Sequence, residues 1–186
     1  MKGRHTMKKI ILTVLGQDHP GIVSEVTGVL FKAGCNIEDS SMTILEGEFV
    51  MLLVVSLPAK MTPKALQTLF GAVGKKMKLT VNMKDFSGPS KKREGLDEKN
   101  YIISVIGADK PGIVHRVTKH LADHNINITD VQTKQIGEGK KQVYAMILEI
   151  HLPSWVNPND LDSELTALGE SLSVDLTLKP IESLTL

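Results

Sequence analysis

The chain is expected to fold as two tandem α+β domains, each of order βαββαβ. Three observations predict this. The sequence repeats itself, each copy alternates short β-branched runs with amphipathic stretches in the same order, and a polar, turn-rich segment separates the copies. Internal repetition is the first thing to settle, because it decides the domain count. With Gly16 set against Gly107, 12 of the 24 positions in 16–39 and 107–130 are identical. They include Gly16/Gly107, Asp18/Asp109, Pro20/Pro111, Gly21/Gly112, Ile22/Ile113, Asn36/Asn127 and Asp39/Asp130. The segment Phe86–Gly95 is rich in Gly, Pro, Ser and charge and reads as a linker. The expected division is a first domain at 1–85 with a short tail at 1–7, a linker at 86–99, and a second domain at 100–186.

In the first copy, Ile10–Val14 is a short β-branched run and predicts a strand. A helix is expected to start near Pro20, because proline suits a first helical turn. Ile22, Val23, Val26, Val29, Leu30 and Ala33 then recur at helical spacing and define one apolar stripe. Gly34, and Asn125 in the second copy, stand where a left-handed C-terminal cap is wanted. Asn36–Leu45, the turn Glu46-Gly47 and Phe49–Leu57 predict a hairpin. Thr62-Pro63 opens a second helix as cap and first-turn proline, and Met77–Lys84 is read as the last strand. The second copy repeats this: Tyr101–Ile106, a helix over Pro111–His124, Ile126–Lys134, a turn at Gly137-Glu138-Gly139, Val143–Leu152, a helix from Asn157-Pro158, and Val174–Leu178. The order is the ferredoxin-like plan. Right-handed crossovers put both helices on one face of an antiparallel sheet. The run Phe49–Val55 is apolar throughout, so both faces of that strand want cover. A second domain or a second chain is expected to provide it.

Composition narrows the function classes. The formal net charge is +1 and aromatics are 4% of residues, which argues against direct nucleic-acid contact. No run of about 18 apolar residues predicts a transmembrane helix. A single cysteine, Cys35, allows no internal disulfide and suits a reducing, cytoplasmic setting. No Walker loop, dinucleotide fingerprint or nucleophile–base signature is found, so the chain is read as a non-enzyme without a cofactor.

The loop Gly16-Gln17-Asp18-His19-Pro20-Gly21, matched by Gly107-Ala108-Asp109-Lys110-Pro111-Gly112, carries the chemistry. Glycines permit close backbone approach, and a helix N-terminus offers unpaired N–H groups to a carboxylate. Asp18 either holds an ammonium or caps the helix. Asn36 opens the next strand, expected at the same end of the domain, where its amide can donate or accept. A zwitterion has one group for each kind of partner.

At these residues the chain resembles the ACT domain family. The resemblance rests on Gly-x-Asp-x-Pro-Gly-Ile, the amphipathic helix after it, and Gly34-Cys35-Asn36-Ile37 or Asn125-Ile126-Asn127-Ile128 leading into the second strand. Within the family the look is that of the glycine cleavage system transcriptional repressor group: two such domains and little else. The resemblance implies a regulatory protein that binds a small amino acid, glycine or serine first, at domain interfaces. It further implies a protein partner such as a transcription factor or metabolic enzyme, and a homodimer. The site positions it implies are Gly16, Asp18, Pro20, Gly21, Ile22 and Asn36, and Gly107, Asp109, Pro111, Gly112, Ile113 and Asn127. The alternatives are a ligand-free scaffold or a regulatory subunit of an amino-acid-metabolism enzyme. Lys110, His115 and Arg116 replace His19, Ser24 and Glu25, so the second loop is expected to be the more basic.

His120 and His124 lie four apart on one helix, at the positions of Val29 and Ala33. Two such histidines can begin a zinc site, but no third ligand is evident, and partial burial at a domain interface is the expectation. Lys91-Lys92-Arg93 reads as solvated linker. Lys75, Lys76 and Lys78 suit a helix end. Cys35 reads as a packed thiol, and Trp155 as a pin for the loop before the last helix.

Overall fold

The computed structural model describes residues 8–88, 99–137 and 142–181. Most of the expected linker, with its Lys91-Lys92-Arg93 run, and the turn residues Glu138 and Gly139 lie outside them. The chain divides into two compact units at Ser90/Lys91. The first holds β1 (Lys9–Gln17), α1 (Ile22–Lys32), β2 (Asn36–Leu45), β3 (Glu48–Ser56), α2 (Pro63–Met77) and β4 (Thr80–Asp85). The second holds β5 (Lys99–Gly107), α3 (Ile113–Asp123), β6 (Asn127–Ile136), β7 (Val143–Leu152), α4 (Pro158–Leu172) and β8 (Val174–Pro180). Each unit is a four-stranded antiparallel sheet, ordered β2-β3-β1-β4 and β6-β7-β5-β8. These are the expected tandem ferredoxin-like βαββαβ folds.

The core of the first unit follows from period two meeting period 3.6. Ile10, Leu12 and Val14 of β1 and Phe49, Met51, Leu53 and Val55 of β3 are buried on one sheet face. Ile22, Val26 and Leu30 of α1 and Leu66 and Phe70 of α2 close over them. Burying each such side chain contributes about 1.5–3 kcal/mol. The opposite sheet face carries half-exposed Leu15, Val50 and Leu52, where alternation is broken by apolar residues on both sides of the strand.

Two boundaries differ from expectation, for local reasons. α1 starts at Ile22, two residues after Pro20, because Gly21 takes a left-handed conformation (φ 98°) and ends the turn before the helix. The prolines Pro63 and Pro158 do occupy first helical turns. β4 starts at Thr80, not Met77. Met77 still belongs to α2, Lys78 turns left-handed (φ 53°), and the Leu79 N–H donates to the Gly74 carbonyl at 2.8 Å to close the helix. Gly34 and Asn125 both take the left-handed conformation expected of them. Among the described residues no helix is long and apolar enough to cross a membrane.

Candidate ligand-binding site

The loop between β1 and α1 opens onto a cleft of about 650 Å3. Asp18 to Ser24, Thr27, Met42 and Phe49 line it. The Asp18 N–H donates to the Gly47 carbonyl at 2.8 Å, which ties the loop to the β2–β3 turn. No side chain caps α1. Asp18 therefore does not cap the helix, and its carboxylate has no partner among the described residues. The first helical hydrogen bond runs from the Glu25 N–H to the Gly21 carbonyl, so the N–H groups of Ile22, Val23 and Ser24 precede it. The cleft thus offers a carboxylate for a cation and a helix N-terminus for an anion.

Gly21 and Gly112 (φ 96°) need their glycines for left-handed backbone. Gly16 has another reason. A Cβ there would stand 2.7 Å from Leu79 Cδ2 and 3.0 Å from the Lys78 carbonyl oxygen. Its place is explained by the packing of β1 on the α2–β4 junction, and it does not line the cleft. Gly107 meets Val174 in the same way.

Asn36 is not at the same end of the domain as the loop. It pairs with Ser56, which pairs with Lys9 at the start of β1, whereas Gly16 and Gln17 sit opposite Phe49 and Glu48. A strand of that length separates them by about 26 Å. The cause is connectivity: α1 runs back down the unit before β2 begins. Asn127, opposite His151, is likewise far from Gly107, opposite Tyr144. A single unit cannot bring its own loop and its own asparagine to one ligand.

Asn36 instead belongs to a polar cluster around Glu38, a residue that sequence reading did not single out. Glu38 sits at a β-bulge between Ile37 and Asp39. Ser56 Oγ donates to it at 2.6 Å, Lys9 Nζ at 3.0 Å and Asn36 Nδ2 at 3.2 Å. The Ser56 bond, then those from Lys9 and Asn36, lower its pKa from 4.5 to about 2. Its folded pKa lies below the ordinary value, so its contribution is present above about pH 4.5 and is lost as pH falls towards 2. Glu38→Gln is expected to lower the melting temperature at neutral pH and to leave it unchanged near pH 2. The check is melting by circular dichroism across that range.

The two loops differ in occupancy. Gln135 Nε2 donates to Asp109 Oδ2, and Gln142 Nε2 donates to Gln135 Oε1 at 2.7 Å. Ile44 takes the place of Gln135 in the first unit, so Asp18 has no such partner. Two of the extra cations of the second loop turn towards the end of α4. Lys110 Nζ donates to the Leu172 carbonyl at 3.4 Å and Arg116 to Ser171 Oγ at 3.1 Å, both at the α4 C-terminus. Carbonyls at a helix end attract cations, which explains the diversion. His19 likewise faces the α2 end, with Nε2 3.5 Å from the Met77 carbonyl.

Cys35 is half-buried against the first core, and burial pushes its thiol pKa up, as suits a packed residue. Trp155 does not pin its loop by burial: it is 53% exposed, beside a cleft that His124 and Glu164 also line. His120 and His124 face Glu164 of α4 in their own unit.

The chain is thus a tandem of two βαββαβ units, each with a Gly-x-Asp-x-Pro-Gly loop before its first helix. The ACT domain pattern matches residues 8–84 and again 99–179, and the chain belongs to the ACT domain family. It is 25% identical over 166 residues to the glycine cleavage system transcriptional repressor of Escherichia coli (strain K12), spanning 88% of this chain and 85% of that one. A UPF0237 protein of Streptococcus pneumoniae serotype 4 is 39% identical over 75 residues, 40% of this chain and 85% of the relative. Among solved structures, an unknown protein from Galdieria sulphuraria superposes with a TM-score of 0.76 at 26% identity, covering 95% of this chain and 99% of that one.

Proposed function

We propose that this chain is a non-enzymatic, cytoplasmic regulator that binds a small amino acid at an ACT-domain interface and so controls a protein partner. The observation that carries the reading is the Asp18 carboxylate, unpartnered among the described residues, beside the uncapped N-terminus of α1 in one cleft. Asp18 would take the ammonium, and the N–H groups of Ile22 to Ser24 the carboxylate. The cleft is wide and bordered by apolar Met42 and Phe49, so a partner surface is needed to close it.

Asn36 and Asn127 lie too far from their own loops and would come from another domain. The means of bringing one is at hand. β2 and β6 are edge strands, exposed almost throughout, and an edge strand is a template for pairing. Exposed Phe31, Met42, Ile44 and Leu45 flank the first edge. A homodimer paired through such edges would set one domain's asparagine towards another's loop. The first unit is then the ligand site, and the second, with Asp109 already held by Gln135, the scaffold. The likeness to the Escherichia coli glycine cleavage system transcriptional repressor supports control of transcription; here it would run through a protein partner, without DNA contact of its own.

Calorimetric titration with glycine, serine and the other small amino acids tests this, with light scattering on the same samples. Saturable binding to a dimer is the expected result. No heat and no thermal stabilisation across the panel would leave the scaffold reading in its place.

A further inference from the structure

We propose that His120, His124 and Glu164 form a binding site for a divalent transition-metal ion of the zinc type. It is independent of the amino-acid reading and lies wholly in the second unit. The two imidazole Nε2 atoms approach a single carboxylate oxygen: His120 Nε2 is 3.0 Å and His124 Nε2 3.1 Å from Glu164 Oε2. One ligand atom from each residue falls within 4.8 Å of the other two. Nitrogen and oxygen ligands about 2.0–2.1 Å from a tetrahedral ion stand about 3.3 Å apart, so both histidine–carboxylate distances are within a few tenths of an ångström of what an ion needs.

The protonation pattern points the same way. His124 Nδ1 lies 2.9 Å from the His120 carbonyl oxygen, to which only an N–H can donate. In a neutral ring that leaves the Nε2 lone pair directed at Glu164, the tautomer that binds metals. His120 Nε2 is a buried atom without a hydrogen bond, although the carboxylate oxygen is 3.0 Å away. The His124 lone pair and the carboxylate it faces are both electron-pair donors, and a cation between them suits both. A divalent ion satisfies all three groups at once.

The first unit shows what this helix pair looks like without the site. There, Val29 and Ala33 stand at the histidine positions, and Leu69 stands at the Glu164 position, each six residues after the proline that opens its helix. All three ligand-bearing residues are therefore present together in one copy and absent together in the other. The ligands come from α3 and α4, whose rigid backbones hold them in place. The site is reachable: the side chains are 24%, 36% and 46% exposed, and a cleft of about 260 Å3 opens beside His124 and Glu164. Three protein ligands leave a fourth position for water or an incoming group, as in open zinc sites.

The full chain, stripped with a chelator and exchanged into metal-free buffer, would be titrated with zinc chloride by calorimetry. Emission of Trp155, the only tryptophan and beside the cleft, would be followed in parallel. The expected result is one ion per chain with a dissociation constant in the micromolar range or tighter. H120V/H124A installs the residues of the first unit, so it is expected to fold while weakening zinc at least thirtyfold. Glu164→Gln should weaken it at least tenfold, and cobalt in place of zinc should give the visible absorption of a four-coordinate ion. Zinc affinity unchanged in H120V/H124A would overturn the proposal, placing the ion on other histidines. So would the absence of saturable binding below 100 micromolar. So would nitrogen-15 spectra showing His124 doubly protonated at neutral pH in zinc-saturated buffer, with a proton in the ion's place.

Discussion

Replacing Asp18 by alanine is expected to weaken binding of the amino acid by about tenfold to a hundredfold, the equivalent of losing one charge-assisted hydrogen bond of roughly 1.5–3 kcal/mol. Asp109→Ala is expected to change binding little. The asymmetry arises from neighbours and not from the motif, which is the same in both loops. The Asp109 carboxylate already accepts from Gln135, and a ligand ammonium would have to displace that amide. Asp18 has no competitor among the described residues, where Ile44 stands at the Gln135 position. Titration of the two variants side by side checks this. Loss in Asp109→Ala alone would make the second unit the ligand site. The exchange variant sharpens the comparison: Ile44→Gln should hand Asp18 a local partner and lower affinity while leaving the charge in place. Stability is a separate readout, since neither carboxylate caps its helix.

The fold was legible because its signals are periodic and doubled. Strands alternate, helices show a 3.6-residue stripe, and each feature occurs twice, so a misreading in one half is checked by the other. What was not legible depends on distances between elements. Asn36 looked close to the loop because both flank α1 in sequence. An 11-residue helix, however, carries the chain back to the far end of the sheet. Glu38 carries no motif, and its role follows from a bulge that only strand register reveals. Glu164 lies 40 residues from His124, so the third group beside the two histidines had no sequence signature. Pro20 misled for a local reason. It precedes a left-handed glycine, which places it in the turn before the helix.

Gly107→Ala is expected to destabilise the second unit by about 1–3 kcal/mol, the usual cost of forcing atoms into a filled space. For a domain of this size that lowers the melting temperature by roughly 5–20 °C. An added Cβ would stand 2.7 Å from Val174 Cγ1 and 3.0 Å from Val174 Cα. The methyl contact could be relieved by a rotamer change, but the Cα belongs to the backbone of β8, and Val174 is 8% exposed in the core. Relief therefore requires β5 and β8 to separate where they pair, at Gly107 and Val174. Urea unfolding followed by Trp155 emission reads this directly, because the tryptophan belongs to the second unit. The control is Gly28→Ala, in the first unit and therefore followed by circular dichroism. Gly28 lies inside α1 with nothing within 4 Å of an added Cβ, so alanine should stabilise by about 0.5–1 kcal/mol through helix propensity alone. The same chemical change is thus expected to have opposite signs at the two sites. An unchanged midpoint in Gly107→Ala would mean that β8 yields freely. The opening glycine of the loop would then have to be explained by the ligand instead of by the strand it packs against.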